Sequence, residues 1–336
     1  MKKHANIPIF IPHLGCPNQC VFCNQHTISG VKSFDPESVV GIIEEALSTI
    51  GDKEAEIAFF GGSFTGIDRD LMIRLLEIAN KYLTSGKVSA IRCSTRPDYI
   101  SQEILDILKK YGVKVIELGL QSTDPSVLNK TKRGHDFSCE ERACRLIVEN
   151  GFSLVGQMMI GLPASSEKTE IETAKFIISS GASGARIYPT VVFKETELCD
   201  MARSGVYKPI SLDEAVKRSA AVMKLFIENG IEVIRVGLCS SDNLTGDDTY
   251  FAGPNHPAIG ELVENELYYK LIRDELSAMN IEKNAIPEIF VARSSLSKAI
   301  GQKKKNKLRL IEDFKLSDIK FSEREDIPEY CITIER

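Results

Sequence analysis

IPIFIPHLGCPNQCVFCNQ, residues Ile7 to Gln25, runs from a β-rich segment straight into three cysteines, Cys16, Cys20 and Cys23, that fall within eight residues. The run Ile7–Pro12 reads as a strand, and the loop behind it carries thiols at CxxxCxxC spacing. Parallel α/β barrels put their chemistry at strand C-terminal ends, which is where this loop lies.

Outward from that stretch the chain alternates between short β-rich runs and amphipathic helical patterns. Further strands are expected at Glu56–Phe60, Ala90–Ser94, Lys114–Leu120, Leu154–Ile160 and Ala185–Val192. Between them lie helices at Pro36–Thr49, Arg69–Leu83, Gln102–Lys110, Cys139–Asn150 and Lys168–Ser179, with Asp35, Asp68, Ser101 and Ser138 as N-caps. Strands separated by helices imply right-handed βαβ units and a parallel sheet. Six units make a partial (β/α)6 TIM-like barrel, short of the eight of a closed one, with an open doubly wound sheet as the rival arrangement.

After Phe193 the rhythm changes. Helices are expected at Glu195–Arg203 and Leu212–Glu228, a β-like run at Glu232–Leu238 and a loop over Cys239–Pro257. A helix at Ala258–Met279, a strand at Glu288–Ala292, a lysine-rich stretch and a last strand at Glu329–Ile334 complete the pattern. The expected division is a core domain, 1–238, and a small α+β C-terminal extension, 239–336.

Composition narrows the class. The chain has 336 residues, 43% of them hydrophobic and 26% charged, which suits a globular protein of barrel size. No run approaches the ~18 apolar residues needed to cross a bilayer, and no secretory signal follows Met1, so a cytoplasmic location without membrane contact is expected. A net charge of −5 argues against a uniformly basic nucleic-acid binder and leaves local basic patches open. Nine cysteines in such a chain do not read as a disulfide scaffold. Cys93, Cys139, Cys144, Cys199, Cys239 and Cys331 are scattered and read as small buried apolar residues.

The cysteine triad needs a chemical reason. Thiolates select iron–sulfur clusters, zinc or copper(I). Three thiolates on a four-iron cluster leave one iron without a protein ligand, open to a redox partner. Zinc would close with a fourth ligand, for which His13 and His26 are candidates.

With Phe22 just before the third cysteine, the triad resembles the signature of the radical S-adenosylmethionine (SAM) enzymes. FFGGSF, which contains Gly61, Gly62 and Ser63, is similar to that family's glycine-rich segment, where the absence of Cβ atoms lets backbone groups approach the methionyl end of SAM. STRPDY (Ser94–Tyr99), ELGLQS (Glu117–Ser122), KRGH (Lys132–His135), MMIGLP (Met158–Pro163) and RIYPTVVFKETEL (Arg186–Leu198) resemble the radical SAM domain of the Elongator catalytic subunit, a tRNA-modifying family. Coproporphyrinogen oxidases share the outline more weakly. The sequence after residue 238 resembles the short extension of this group, and no acetyltransferase domain is expected there.

The resemblance implies that Cys16, Cys20 and Cys23 hold a 4Fe–4S cluster whose open iron is chelated by SAM. Reduced by a reductase or a flavodoxin- or ferredoxin-type donor, the cluster cleaves SAM to a 5′-deoxyadenosyl radical that removes hydrogen from the substrate. Arg133 matches a position that pairs with the SAM carboxylate, for which a guanidinium is well shaped. Gln121 and Gln157 are amides among apolar neighbours and need polar partners, which SAM can supply. Ser94 stands where relatives carry glutamate, and a serine there can still reach a ribose hydroxyl. Phe22 suits packing against cluster or adenine, or the core. Tyr188 and Lys194 are candidates to face substrate, with a core aromatic as the other reading of Tyr188; His256 suits a turn.

Two basic clusters suggest tRNA as a partner: Lys130 and Lys132 near the expected mouth, and Lys303, Lys304, Lys305, Lys307 and Arg309 in the extension. A wobble-region uridine of tRNA is the leading substrate. A small metabolite or porphyrinogen-like substrate is the second reading, and a zinc-stabilised nucleic-acid-binding module without catalysis is the third.

Overall fold

A computed structural model describes residues 4–11, 14–16, 20–24, 34–51, 54–238 and 249–335. Cys239, His13, His26 and most of the expected Cys239–Pro257 loop lie outside the described residues.

Strand β1 (His4–Ile11) is followed by helix α1 (Val39–Ile50), whose entry is a 3-10 turn, Pro36–Ser38, capped by Asp35. Then come β2 (Glu54–Gly61), α2 (Arg69–Thr84), β3 (Ala90–Thr95), α3 (Gln102–Lys110) and β4 (Val113–Gln121). A short helix, α4 (Pro125–Lys130), precedes α5 (Phe137–Glu149), β5 (Ser153–Ile160), α6 (Glu167–Ser179) and β6 (Gly184–Pro189). Next are β7 (Val192–Phe193), α7 (Glu197–Arg203), α8 (Leu212–Glu228), β8 (Glu232–Val236) and β9 (Tyr250–Ala252). The chain continues through α9 (Ile259–Ala278), β10 (Glu288–Ala292), α10 (Leu296–Ile300), α11 (Lys305–Phe314), β11 (Lys320–Arg324) and β12 (Ile332–Glu335).

Seven strands form one parallel sheet in the order β1-β2-β3-β4-β5-β6-β8, curled into a half-barrel. Consecutive neighbours joined by helices are what right-handed βαβ units produce. The sheet therefore has one strand more than the six units expected, because Glu232–Val236 joins the core beside β6, with Gly184 opposite Glu232.

At β6 and α5 the boundaries differ for local reasons. The expected strand Ala185–Val192 stops at Pro189; Thr190 bonds back to the Ile160 carbonyl through its N–H (2.8 Å) and hydroxyl (2.7 Å). Val192–Phe193 then leaves the sheet and pairs antiparallel with β9, a strand inside the stretch expected to be a loop. The cap of α5 is Asp136, whose carboxylate accepts from Cys139 N (2.9 Å), while Ser138 only donates to that same carboxylate. The caps Asp68 and Ser101 hold as expected, accepting from Leu71 N and Ile104 N. Helix α4, which the sequence reading left out, has Asp124 as its cap and Pro125 in its first turn.

The main core lies between the sheet and its helices, with Ile7, Ile9, Ile57, Phe59, Ile91, Leu118, Met158 and Ile187 all fully buried or nearly so. In the extension β11, β10 and β12 form a second sheet, and Lys320–Arg324 is a strand that the sequence reading missed. Helix α9 serves both cores: Ile259, Val263 and Leu267 pack on the barrel side, Tyr268, Ile272 and Leu276 on the extension side.

Candidate active site

The described parts of the cysteine loop, residues 14–16 and 20–24, lie against the residues that follow β2, β3 and β4. Two glycines set how close they come. Gly61 has φ 112°, and a Cβ there would sit 2.8 Å from the Ile11 carbonyl; on Gly62 it would sit 2.3 Å from the Leu14 carbonyl. The end of β1 and Leu14 thus lie directly against the two glycines, with Gly62 N donating to Ile11 O (2.9 Å). Ser63 is fully buried; its hydroxyl meets Thr95 Oγ1 (2.8 Å) and accepts from Arg96 N (3.2 Å), pinning the turn to the end of β3. The far side of the loop is tied by Val21 N to Thr131 O (3.2 Å) and by Leu198 N to Val21 O (2.8 Å).

Cys20 is buried beneath two guanidinium groups. Arg133 Nη1 donates to its sulfur at 3.2 Å and Arg96 Nη1 at 3.7 Å. Arg133 also holds Gly119 O through Nη2, while its Nε is buried with no hydrogen-bond partner. Cys16 is half-buried; burial pushes its thiol up, and the charges of Arg96 and Arg133 oppose that. Cys23 N bonds to Cys20 O (3.0 Å), and all three thiols are free of disulfides. Among the described residues no three His, Cys, Asp or Glu side chains are gathered around a point where a metal ion would sit.

Arg96 extends the network outward. It grips both carboxylate oxygens of Asp98 (2.9 and 3.0 Å), donates to the Arg133 carbonyl and lies 3.4 Å from His135 Nδ1. His135 Nε2 faces Glu140 Oε1 at 3.0 Å. Burial raises the Glu140 carboxyl to about 9 and, with the charge of Arg133, holds the His135 imidazole well below its usual range. Both shifts favour the uncharged forms, in which His135 Nδ1 accepts from Arg96 and Nε2–H donates to Glu140, a tautomer assigned from its partners. Outside this chain of contacts is a cavity of about 730 Å³ lined by Asp98, Lys132, His135 and Cys139 among others.

Below the cysteine level a second polar group fills the barrel interior. Glu117 on β4 is fully buried and accepts from Arg92 Nη1 (3.0 Å), Arg186 Nε (2.7 Å), Arg186 Nη2 (2.9 Å) and Gln157 Nε2 (2.9 Å). Arg92 also pairs with Glu56 (2.6 Å). Gln157 reaches Ser94 Oγ (3.4 Å), which joins two residues singled out from sequence. Gln121 ends β4 with φ 72°, and its Oε1 is buried without a partner.

The other expected residues are more scattered. Phe22 packs on an apolar cluster of Val21, Val192, Leu198 and Tyr207. Tyr188 and Lys194 are half-buried at and beyond β6, and Lys194 N bonds to Thr249 O (2.8 Å). His256 serves a turn, Nδ1 accepting from Ala258 N (3.1 Å). Of the basic residues, Lys132 pairs with Glu197, Lys307 with Asp318, and Arg309 with Glu266 while lying 3.5 Å over the Tyr269 ring. Lys130, Lys303, Lys304 and Lys305 are exposed.

Arg92, Arg96, Glu117, His135, Glu140 and Arg186 join the site without being expected there from sequence. A signal existed for the strand residues. A charge inside AIRCST, VIELGL or GARIYP, on strands covered by helices, has nowhere to go except the barrel interior.

A curled parallel half-barrel with a cysteine loop at its strand ends defines a class, and the chain belongs to it: the Radical SAM superfamily model matches residues 10–177. The Radical_SAM C-terminal domain model matches residues 182–269. Among relatives, an uncharacterized protein of Methanocaldococcus jannaschii is 33% identical over 227 residues, covering 63% of this chain and 68% of that protein. The tRNA uridine(34) acetyltransferase of Methanocaldococcus infernus is 28% identical over 207 residues, 55% of this chain and 39% of that protein, so the match spans about two-fifths of that protein's length. The solved structure of archaeal Methanocaldococcus infernus Elp3 with an N-terminal deletion shares the fold at TM-score 0.62 and 22% identity, covering 80% of this chain and 68% of that one. The likeness to the Elongator radical SAM region expected from the motifs is borne out. Among the described residues no helix is long and apolar enough to cross a membrane.

Proposed function

We propose that Cys16, Cys20 and Cys23 hold a 4Fe–4S cluster, that SAM binds beside it, and that the radical so produced acts on a tRNA uridine in the wobble region. The observation that carries the cluster reading is the pair of guanidinium groups that donate to Cys20 Sγ, two positive charges directed at one buried sulfur. The donor set suits the group: three thiols on one loop with no disulfide among them, soft ligands of the kind iron–sulfur clusters take. Two orphaned polar atoms, Gln121 Oε1 and Arg133 Nε, suit a polar ligand nearby.

When bound, the cluster and SAM together supply a 5′-deoxyadenosyl radical that removes hydrogen from substrate. The chain's own residues do the rest. Gly61, Gly62 and Ser63 fix the loop that presents the thiols. Arg133 is suited to a carboxylate of SAM and Gln121 to a donor group on it. Gln157 and Ser94, held by Glu117 and by each other, offer hydroxyl and amide-carbonyl oxygens to a ribose. Phe22 keeps solvent from the loop's inner side. Tyr188 and Lys194 are the candidates for substrate contact.

The tRNA reading rests on likeness to the uridine(34) enzyme together with exposed Lys130, Lys303, Lys304 and Lys305, which have the charge to meet phosphates. It concerns the radical step alone. Mass spectrometry of tRNA nucleosides from cells lacking the protein tests it: a missing or altered modified uridine supports the proposal, and an unchanged nucleoside profile removes tRNA as the substrate.

A further inference from the structure

Cys20 has two cationic partners, and they are held in different ways. Arg133 keeps an unpartnered buried Nε and so retains capacity for another ligand. Arg96 has none to spare. Its Nε and Nη2 are fixed by the Asp98 carboxylate, and Nη2 also serves the Arg133 carbonyl and His135 Nδ1. A guanidinium is planar, so fixing two nitrogens fixes the direction of the third. That third nitrogen, Nη1, donates to Cys20 Sγ. Behind it His135, with its side chain 1% exposed, is braced by fully buried Glu140.

We propose that Arg96 sets the reduction potential of the cluster through Cys20, as a positioning residue. The inference rests on the cluster reading above. Hydrogen bonds and positive charge at a cluster sulfur stabilise the reduced, more negative state and raise its potential. Asp98 offsets part of that charge, since its carboxylate pairs with the same guanidinium. Removing Arg96 and neutralising Asp98 should therefore move the potential in opposite directions, which a purely structural role would not do.

The test is an anaerobic redox titration, followed by electron paramagnetic resonance, of the full chain reconstituted with iron and sulfide. Wild type, Arg96→Gln and Asp98→Asn are compared. Arg96→Gln is expected to lower the midpoint enough to cut the reduced fraction about tenfold at a fixed potential, about 59 mV for one electron. Asp98→Asn is expected to raise it. A midpoint for Arg96→Gln equal to wild type overturns the proposal. If Arg96→Gln does not take up a cluster, Asp98→Asn decides: a midpoint unchanged or lower than wild type overturns it. Failure of the wild-type chain to take up a four-iron cluster is a different result, which removes the cluster reading itself and this inference with it.

Discussion

Arg186 meets Glu117 through two parallel bonds, Nε to Oε2 at 2.7 Å and Nη2 to Oε1 at 2.9 Å, inside the half-barrel. The residues lie on β6 and β4, two strands apart in the sheet, with Gln157 of β5 completing the contact between them. Such a pair costs desolvation to form, and its chief effect is to fix the geometry of what it holds.

Glu117→Ala should be strongly destabilising, because it leaves Arg186 buried without its carboxylate. The expected loss is about 3–5 kcal/mol in urea denaturation. Lys132→Ala, which breaks only the exposed pair with Glu197, should cost less than about 1 kcal/mol. Equal effects of the two variants would refute a special role for the interior pair.

The cysteine loop depends on the missing side chain at residue 62. Gly62→Ala puts a methyl 2.3 Å from the Leu14 carbonyl and should cost about 1–3 kcal/mol. It should also lower the iron bound per chain after reconstitution. A variant with full iron content and unchanged denaturation midpoint would show that the loop has more room than its packing indicates.

Glu140 makes stability depend on pH. Burial pushes its carboxyl up to about 9 in the native state, against about 4.5 for an ordinary exposed glutamate. Between these values the native carboxyl binds a proton that the unfolded one has lost, so the stability Glu140 contributes is fully present below 4.5 and is lost as pH rises toward 9, while His135, held below its usual range, contributes the opposite slope in the acid range. The limiting slope is about 1.4 kcal/mol per pH unit. Urea midpoints at pH 5, 7 and 9 should fall more steeply for wild type than for Glu140→Gln, whose side chain stays neutral throughout. Parallel curves would mean that Glu140 is ionised when buried.

The extension carries a prediction about RNA. Lys303→Ala, Lys304→Ala and Lys305→Ala together should weaken tRNA binding and reduce the salt slope of log K by roughly 2–3, whereas Lys307→Ala should do less, since Lys307 is paired with Asp318. Filter binding across a salt series reads both quantities. An unchanged slope would exclude the Lys303–Lys305 turn from the RNA contact.

The parallel sheet was legible because strand and helix patterns alternate, and Gln102–Lys110 and Leu212–Glu228 match the structure residue for residue. The seventh strand was legible as a β-like run but not as a barrel member, because pairing of Glu232–Val236 with β6 is a long-range choice that no local pattern encodes. The cysteine loop was legible from spacing. The surroundings of Cys20 were not: Arg96 and Arg133 come from the ends of different βα units and meet at one sulfur only in the folded chain. Glu140 is further still from a sequence signal, since a carboxylate in the first turn of a helix ordinarily reads as a favourable exposed charge.

Reductive cleavage of SAM is the decisive measurement for the cysteine loop. The chain, purified anaerobically, reconstituted with iron and sulfide and reduced with dithionite, should convert SAM to 5′-deoxyadenosine, and Cys16→Ala, Cys20→Ala and Cys23→Ala should each abolish that product. Absence of both iron uptake and 5′-deoxyadenosine from the wild-type chain, with Cys16→Ala indistinguishable from it, would contradict the account.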